Sequence, residues 1–240
     1  MARAFIFVMV LSAALSAQEA IPTGTILPLA LNTSLRSDKM HSGDVVKGRI
    51  MQDVPMPGRS KIRAGAQVMG KVVEVTSGPP GEIAVRFDTL KSGNRRIALT
   101  TNLRTLATAM DVEQAKIPTA GPDRGTSEAD WVTDQIGGDT VYHGSVVTRG
   151  REVVGNYVAG GVLVRVSAKA ESGCRGDLDG NDRPQALWVF SSDACGLYDL
   201  PNLKLQHAGR TEPVGEIRLR SIKGSVKVPS GSGMLLRVLR

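Results

Sequence analysis

The residues Asp177-Leu178-Asp179-Gly180-Asn181-Asp182 form the best candidate ligand cluster in the chain. Side-chain oxygens at Asp177, Asp179, Asn181 and Asp182, arranged around a glycine, can wrap a hard cation such as calcium. A helix–loop–helix calcium loop wants glycine at its sixth position and glutamate at its twelfth. Counted from Asp177, those places hold Asp182 and Trp188, so the segment departs from that pattern. The favoured reading is a polar turn. Calcium is the cation considered for it, and no resident cofactor is expected.

Cysteines flank this turn. Cys174 and Cys195 are the only two in the chain, with 20 residues between them. In an oxidising compartment an even count points to a disulfide. Closing such a loop contributes about 3 kcal/mol in the chain-entropy picture.

Other patterns fail on chemistry. Gly65-Ala66-Gln67-Val68-Met69-Gly70-Lys71 satisfies much of a phosphate-binding loop. That loop needs Ser or Thr after the lysine and a helix behind it. Val72 follows instead, and Val72-Val73-Glu74-Val75 reads as strand. His41, His143 and His207 are widely separated and match no metal-ligand spacing. No Gly-x-Ser-x-Gly elbow occurs. No catalytic residue is nominated.

The elements around these residues read mostly as strand. Ile83, Val85 and Phe87 alternate with Glu82, Ala84, Arg86 and Asp88, and Ile217 and Leu219 alternate with Glu216, Arg218 and Arg220. A period of two places one apolar face on a core and one polar face in water. Further strands are predicted over Ile26–Thr33, Val45–Val54, Gln67–Thr76, Arg96–Leu106, Val162–Ala168, Ala186–Phe190 and Met234–Leu239. Ser77-Gly78-Pro79-Pro80-Gly81 has the chemistry of a hairpin connection. From Ala107 to Asp139 the alternation fades. There Ser127-Glu128-Ala129-Asp130 resembles a capping box and Gly137-Gly138 a helix stop, which predicts a short helix over Glu128–Ile136.

One pattern recurs three times. Ile21-Pro22-Thr23-Gly24, Ile62-Arg63-Ala64-Gly65 and Val228-Pro229-Ser230-Gly231 each place a β-branched residue before small residues and a glycine, and an apolar strand follows. The glycine permits a positive φ or a bulge where the chain turns. The first and third copies predict that the strand from Ile26 lies near the strand from Met234, in one core.

The opening residues bound the compartment. Arg3 precedes an apolar run from Ala4 to Leu11, and small residues follow from Ser12 to Ala17. This is the layout of a secretory signal, with cleavage expected between Ala14 and Ala20. The run is too short to span a bilayer as a helix. Hydrophobic residues make up 41% of the chain, which argues against disorder, and aromatics only 4%, so Val, Leu and Ile must fill most of the core. The net charge of +7 favours acidic surfaces. Nucleic-acid binders cluster charge and interleave aromatics. Here the basic residues are spread out, so no specific nucleic-acid binding is expected.

Residues 21–106 resemble the C-terminal β-barrel domain of TrbI-like channel proteins of conjugation and type IV secretion systems. The resemblance is carried by Ile21-Pro22-Thr23-Gly24-Thr25, Leu31-Asn32-Thr33, Ser37-Asp38, Gly43-Asp44-Val45-Val46, Gln52-Asp53-Val54, the turn from Ile62 to Gly70, and Val85-Arg86-Phe87-Asp88-Thr89-Leu90. It implies a similar barrel in the cell envelope. The inner-membrane helix and proline-rich arm of the channel-forming members have no counterpart in these residues.

The expected fold is mainly β, a barrel or sandwich with an irregular middle and one or two short helices. Residues 1–20 are expected to be a signal peptide, 21–106 the first part of the β-domain, 107–139 an irregular connection with a short helix, and 140–240 a β-rich second part sharing its core. The expected function is a non-catalytic structural or binding component of a bacterial envelope, periplasmic, outer-envelope associated or secreted, accessory to a secretion or conjugation apparatus. Its expected partners are envelope proteins or acidic surface polymers. The rivals are a secreted enzyme with a site built from the loops Asp130–His143 and Cys174–Asp199, and a calcium-dependent adhesin or carbohydrate-binding module.

Overall fold

The structure is a computed structural model, described here for residues 20–118, 132–138, 140–142, 145–166 and 183–240. In chain order, the first strands are β1 (Ile26–Leu31), β2 (Leu35–Arg36), β3 (Val45–Ile50), β4 (Val54–Pro55) and β5 (Lys61–Ile62). Next come β6 (Gln67–Thr76), β7 (Glu82–Ser92), β8 (Arg95–Ala98), β9 (Thr101–Ala107) and the helix α1 (Ala109–Gln114). Then follow β10 (Val132–Asp134), β11 (Thr140–Tyr142), β12 (Val146–Arg149), β13 (Glu152–Val158), β14 (Gly161–Val164) and β15 (Gln185–Trp188). The last are β16 (Gly196–Tyr198), β17 (Leu203–His207), β18 (Ile217–Ser221), β19 (Lys227–Val228) and β20 (Gly233–Val238). The fold is mainly β, and the described residues hold one short helix and a 3₁₀ turn at Pro57–Arg59.

Ten strands form one sheet in the order β16-β9-β20-β1-β3-β6-β7-β18-β17, with β8 added to β7. The sheet curls until it is nearly a closed barrel. At the seam, the Leu103 amide of β9 donates to the Ala208 carbonyl just past β17, at 2.8 Å. Strands from the two ends of the chain are neighbours: β1 runs antiparallel to β20, with Leu29 opposite Met234. The predicted connection at Ser77–Gly81 joins β6 to β7, the long hairpin of the barrel.

The three recurring turns are one device. Gly24, Gly65 and Gly231 lie at φ +84°, +90° and +87°, where a Cβ is disfavoured. In each, the residue after the glycine donates its amide back across the turn, to Pro22, Arg63 or Pro229. Each glycine amide then donates to the last residues of a neighbouring strand: Gly24 to Val238 at 2.8 Å, Gly65 to Ile50 at 2.8 Å, Gly231 to Leu31 at 2.7 Å. Those residues answer through their own amides, Val238 to Thr25, Ile50 to Ala66 and Leu31 to Ser232. The β1–β20 pair is therefore clamped at both ends by the same turn.

Burial follows from what lies outside the barrel. On β3, Val46, Gly48 and Ile50 are buried and Val45, Lys47 and Arg49 are exposed, so one face is wet. The strands β9 and β20 are buried at every residue and β1 at all but Ala30. Their second face is covered by a six-stranded meander, β10 to β15. Leu27, Leu29, Leu103 and Leu236 fill the barrel interior. Ile26, Ala107 and Leu235 pack outward against Val147, Val154, Val162, Leu187 and Phe190. Two glutamines lock the layers. Gln52 is fully buried, accepts from the Trp188 amide at 2.7 Å and donates to the Val162 carbonyl at 2.9 Å. Gln185 accepts from the Ile26 amide at 3.0 Å.

Several expectations change. The helix predicted over Glu128–Ile136 does not form across its second half, because Val132–Asp134 is strand β10 and pairs with β11. Residues 128–131 lie outside the described residues. The helix seen among the described residues is α1, not foreseen, where Thr108 and Asp111 form a capping box. The strand predicted over Val45–Val54 ends at Ile50, since Gln52 turns to bond the meander. Arg96–Leu106 divides into β8 and β9. The strand predicted over Val162–Ala168 ends at Val164, and Ser167 and Ala168 are not described.

Candidate functional site

A cleft of about 770 Å³ lies between the start of β1, the β4–β5 hairpin and the loop leading into β15. The first recurring turn supplies Thr23 and Gly24, the hairpin supplies Pro55, Met56 and Pro57, and the meander supplies Leu163 and Pro184. Proline fixes the backbone of these walls and removes amide donors from them. Among the described residues, the ionisable members of the lining are Arg183 and Arg237. Such a surface can hold a ligand.

A second cleft of about 450 Å³ lies at the meander, lined among others by Lys116, Gln135, Tyr157, Gly161, Val162 and Trp188. Trp188 occupies a positive φ of 56°, unusual for a bulky side chain, and its backbone lies against Gly161. The Lys116 ammonium sits 5.6 Å from the centre of its ring. Gln135 donates to the Phe190 carbonyl at 2.8 Å and leaves its own side-chain oxygen without a partner.

The two loops of the expected enzyme site do meet where they are described. Ile136 bridges to Phe190, and its amide donates to Val189 at 3.0 Å. A cleft of about 400 Å³ there includes Asp111, Asp134, Tyr198 and Asp199. Asp111 is occupied by the α1 cap, where it bonds the Thr108 amide and hydroxyl. Among the described residues no group of three or more His, Cys, Asp or Glu could hold a metal ion.

Asp177, Asp179, Asn181 and Asp182 lie outside the described residues, as do Cys174 and His143. Cys195 lies in the loop after Phe190, and its amide donates to the Tyr198 hydroxyl at 3.0 Å. His41 is exposed near Asp44. His207 lies on β17 with its ring nitrogens against the Glu216 and Glu212 carbonyls, at 2.8 and 3.2 Å. The two histidines are on different parts of the barrel and form no site. The phosphate-loop lookalike is a turn and the start of β6, with no helix behind it.

Electrostatics outside the clefts centre on Arg218. It bonds Glu74 at 2.7 Å, Glu216 at 2.7 Å and Glu82, and these bonds hold its guanidinium firmly in the charged state. Sequence reading missed this network, because its acids come from β6, β7 and the residue before β18. Alternation could show only that each faces outward. No helix among the described residues is long and apolar enough to cross a membrane. No known protein-family model matches the chain, and no curated protein matches it.

Proposed function

We propose that the chain is a non-catalytic binding component of a bacterial cell envelope, exported by its first residues and accessory to a secretion or conjugation apparatus. The observation that carries this reading is the cleft between barrel and meander. Its proline, methionine and leucine walls are suited to receive a partner, and its ionisable residues among those described are arginines. Acid–base chemistry needs a group with a pKa near the working pH, and arginine does not supply one. The resemblance of residues 21–106 to TrbI-like barrels adds the apparatus, and the apolar run after Arg3 adds the route.

The reading includes a bridge between Cys174 and Cys195. It is supported by Cys195 not being a free thiol and by the chain holding one other cysteine. The test is fractionation of native cells followed by mass analysis of the protein. The expected product comes from the envelope or medium, begins after Ala14, and yields one linked cysteine peptide without reductant. Recovery from the cytoplasm with Met1 intact would overturn the reading.

A further inference from the structure

The wet face of the barrel carries cations that the fold does not neutralise. Across β3, β6, β7 and β8, Arg49 stands opposite Gln67, Gln67 opposite Lys91, and Lys91 opposite Arg96. Lys47 lies one outward position along β3, and Lys71 stands between Val45 and Arg86. Lys47, Arg49, Lys71, Lys91 and Arg96 are all exposed. Among the described residues none of the five makes an ion pair.

This is not how the neighbouring face is built. A few residues away, Arg218 is surrounded by three glutamates and Arg86 faces Glu216. Of the three acids on the cationic strands, Glu74 and Glu82 are engaged by Arg218, and Asp88 accepts from the Thr89 hydroxyl. Like charges directly opposite each other on a sheet are destabilising, and Lys91 and Arg96 are such a pair. Neighbouring strands lie about 4.8 Å apart, so the row from Arg49 to Arg96 extends roughly 14 Å across the sheet. That row matches closely spaced anionic groups along a polymer.

We propose that this face docks a linear polyanion recognised by its charge density. The proposal rests on the envelope reading only for the source of that polymer, an acidic chain of the cell surface. Nucleic acid fits poorly, since Phe87 is the only aromatic residue on these four strands and is fully buried. Bases would find nothing to stack on. A membrane surface fits poorly too, because the face offers Val45 but no broad apolar stripe to enter the interface.

The test uses the full chain as recovered from cells, with labelled long-chain polyphosphate and poly-L-glutamate as probes. Both should bind. Five cationic contacts imply a log–log salt slope near −3.5, about a hundredfold loss of affinity between roughly 50 and 200 mM salt. The triple variant Arg49→Gln, Lys91→Gln, Arg96→Gln should lose at least ~10-fold in affinity and about 2 from the slope. Its melting temperature should be unchanged or raised, which excludes misfolding as the cause. A control triple elsewhere on the surface, Lys204→Gln, Lys223→Gln, Lys227→Gln, should bind within about twofold of the parent. Failure of both probes, or equal losses in the two triples, would overturn the proposal. So would preferential binding to single-stranded DNA or to anionic vesicles. Localisation is read separately, so an envelope protein that ignores both polymers would refute this inference and leave the envelope reading standing.

Discussion

Gly65 and Gly78 both face open space, with nothing within 4 Å of an added Cβ, yet they should respond differently to alanine. Gly65 sits at φ +90°, so Gly65→Ala should cost about 1 kcal/mol in chemical denaturation through backbone strain alone. Gly78 has no positive φ, and Gly78→Ala should leave stability unchanged or slightly higher. Equal effects would mean that the recurring turn does not depend on its glycine. Asp53 gives a second residue-scale test. Its carboxylate pairs with Lys61 and accepts from the Ala64 amide at 2.8 Å, and these bonds hold its pKa below the ordinary value. A carboxyl depressed in the folded state stabilises that state above its unfolded pKa of about 4, and the benefit is lost as pH falls through the lower folded value. Protection of the Ala64 amide, relative to the unfolded rate, should therefore fall as pH drops below about 4. Asp53→Asn should remove that pH dependence; an unchanged profile would dissociate the pair from the hairpin. Both sites are 40–46% exposed, so the effect is modest.

At the scale of elements, the contact between barrel and meander depends on Gln52. Gln52→Leu keeps the volume roughly constant but strands the Trp188 amide and the Val162 carbonyl. A buried polar group left without its partner costs roughly 1–3 kcal/mol, so a loss of about 3 kcal/mol in urea unfolding is expected. A loss below about 1 kcal/mol would show that water or a backbone shift replaces the amide. The segment around Gln52 also shows where alternation misleads. Val45–Val54 reads as one strand, and the chain instead leaves the sheet at Met51, because a polar side chain there serves a second layer. The second half of the predicted helix is strand for a related reason: β-branched Val132 and Thr133 pair with β11, and that pairing prevails over the helical reading of Val132–Ile136. The cap of α1, Thr108-x-x-Asp111, has aspartate where the box usually carries glutamate or glutamine.

For the whole molecule, β20 lies between β9 and β1 in the sheet. A fragment of residues 21–108 would expose both as edges, and their apolar residues face two cores. It should show no cooperative unfolding transition and should aggregate. A soluble fragment with a sharp two-state melt would mean that the first 108 residues carry a core of their own.

The amino-acid sequence by itself determined the class of fold, because period-two alternation such as Glu82–Asp88 has one physical solution, a sheet with one dry face. It also determined where the chain turns sharply, since Gly24, Gly65 and Gly231 stand where only glycine is comfortable. Tertiary structure decided the rest. Ile26–Leu31 and Gly233–Leu236 are apolar without alternation, and a short apolar run does not say what covers its second face. The answer is a meander some hundred residues away, held by Gln52 and Gln185, whose partners come from distant strands. The cationic face was equally hidden: Arg49, Lys91 and Arg96 are scattered along the chain and become one row only through the register of four strands.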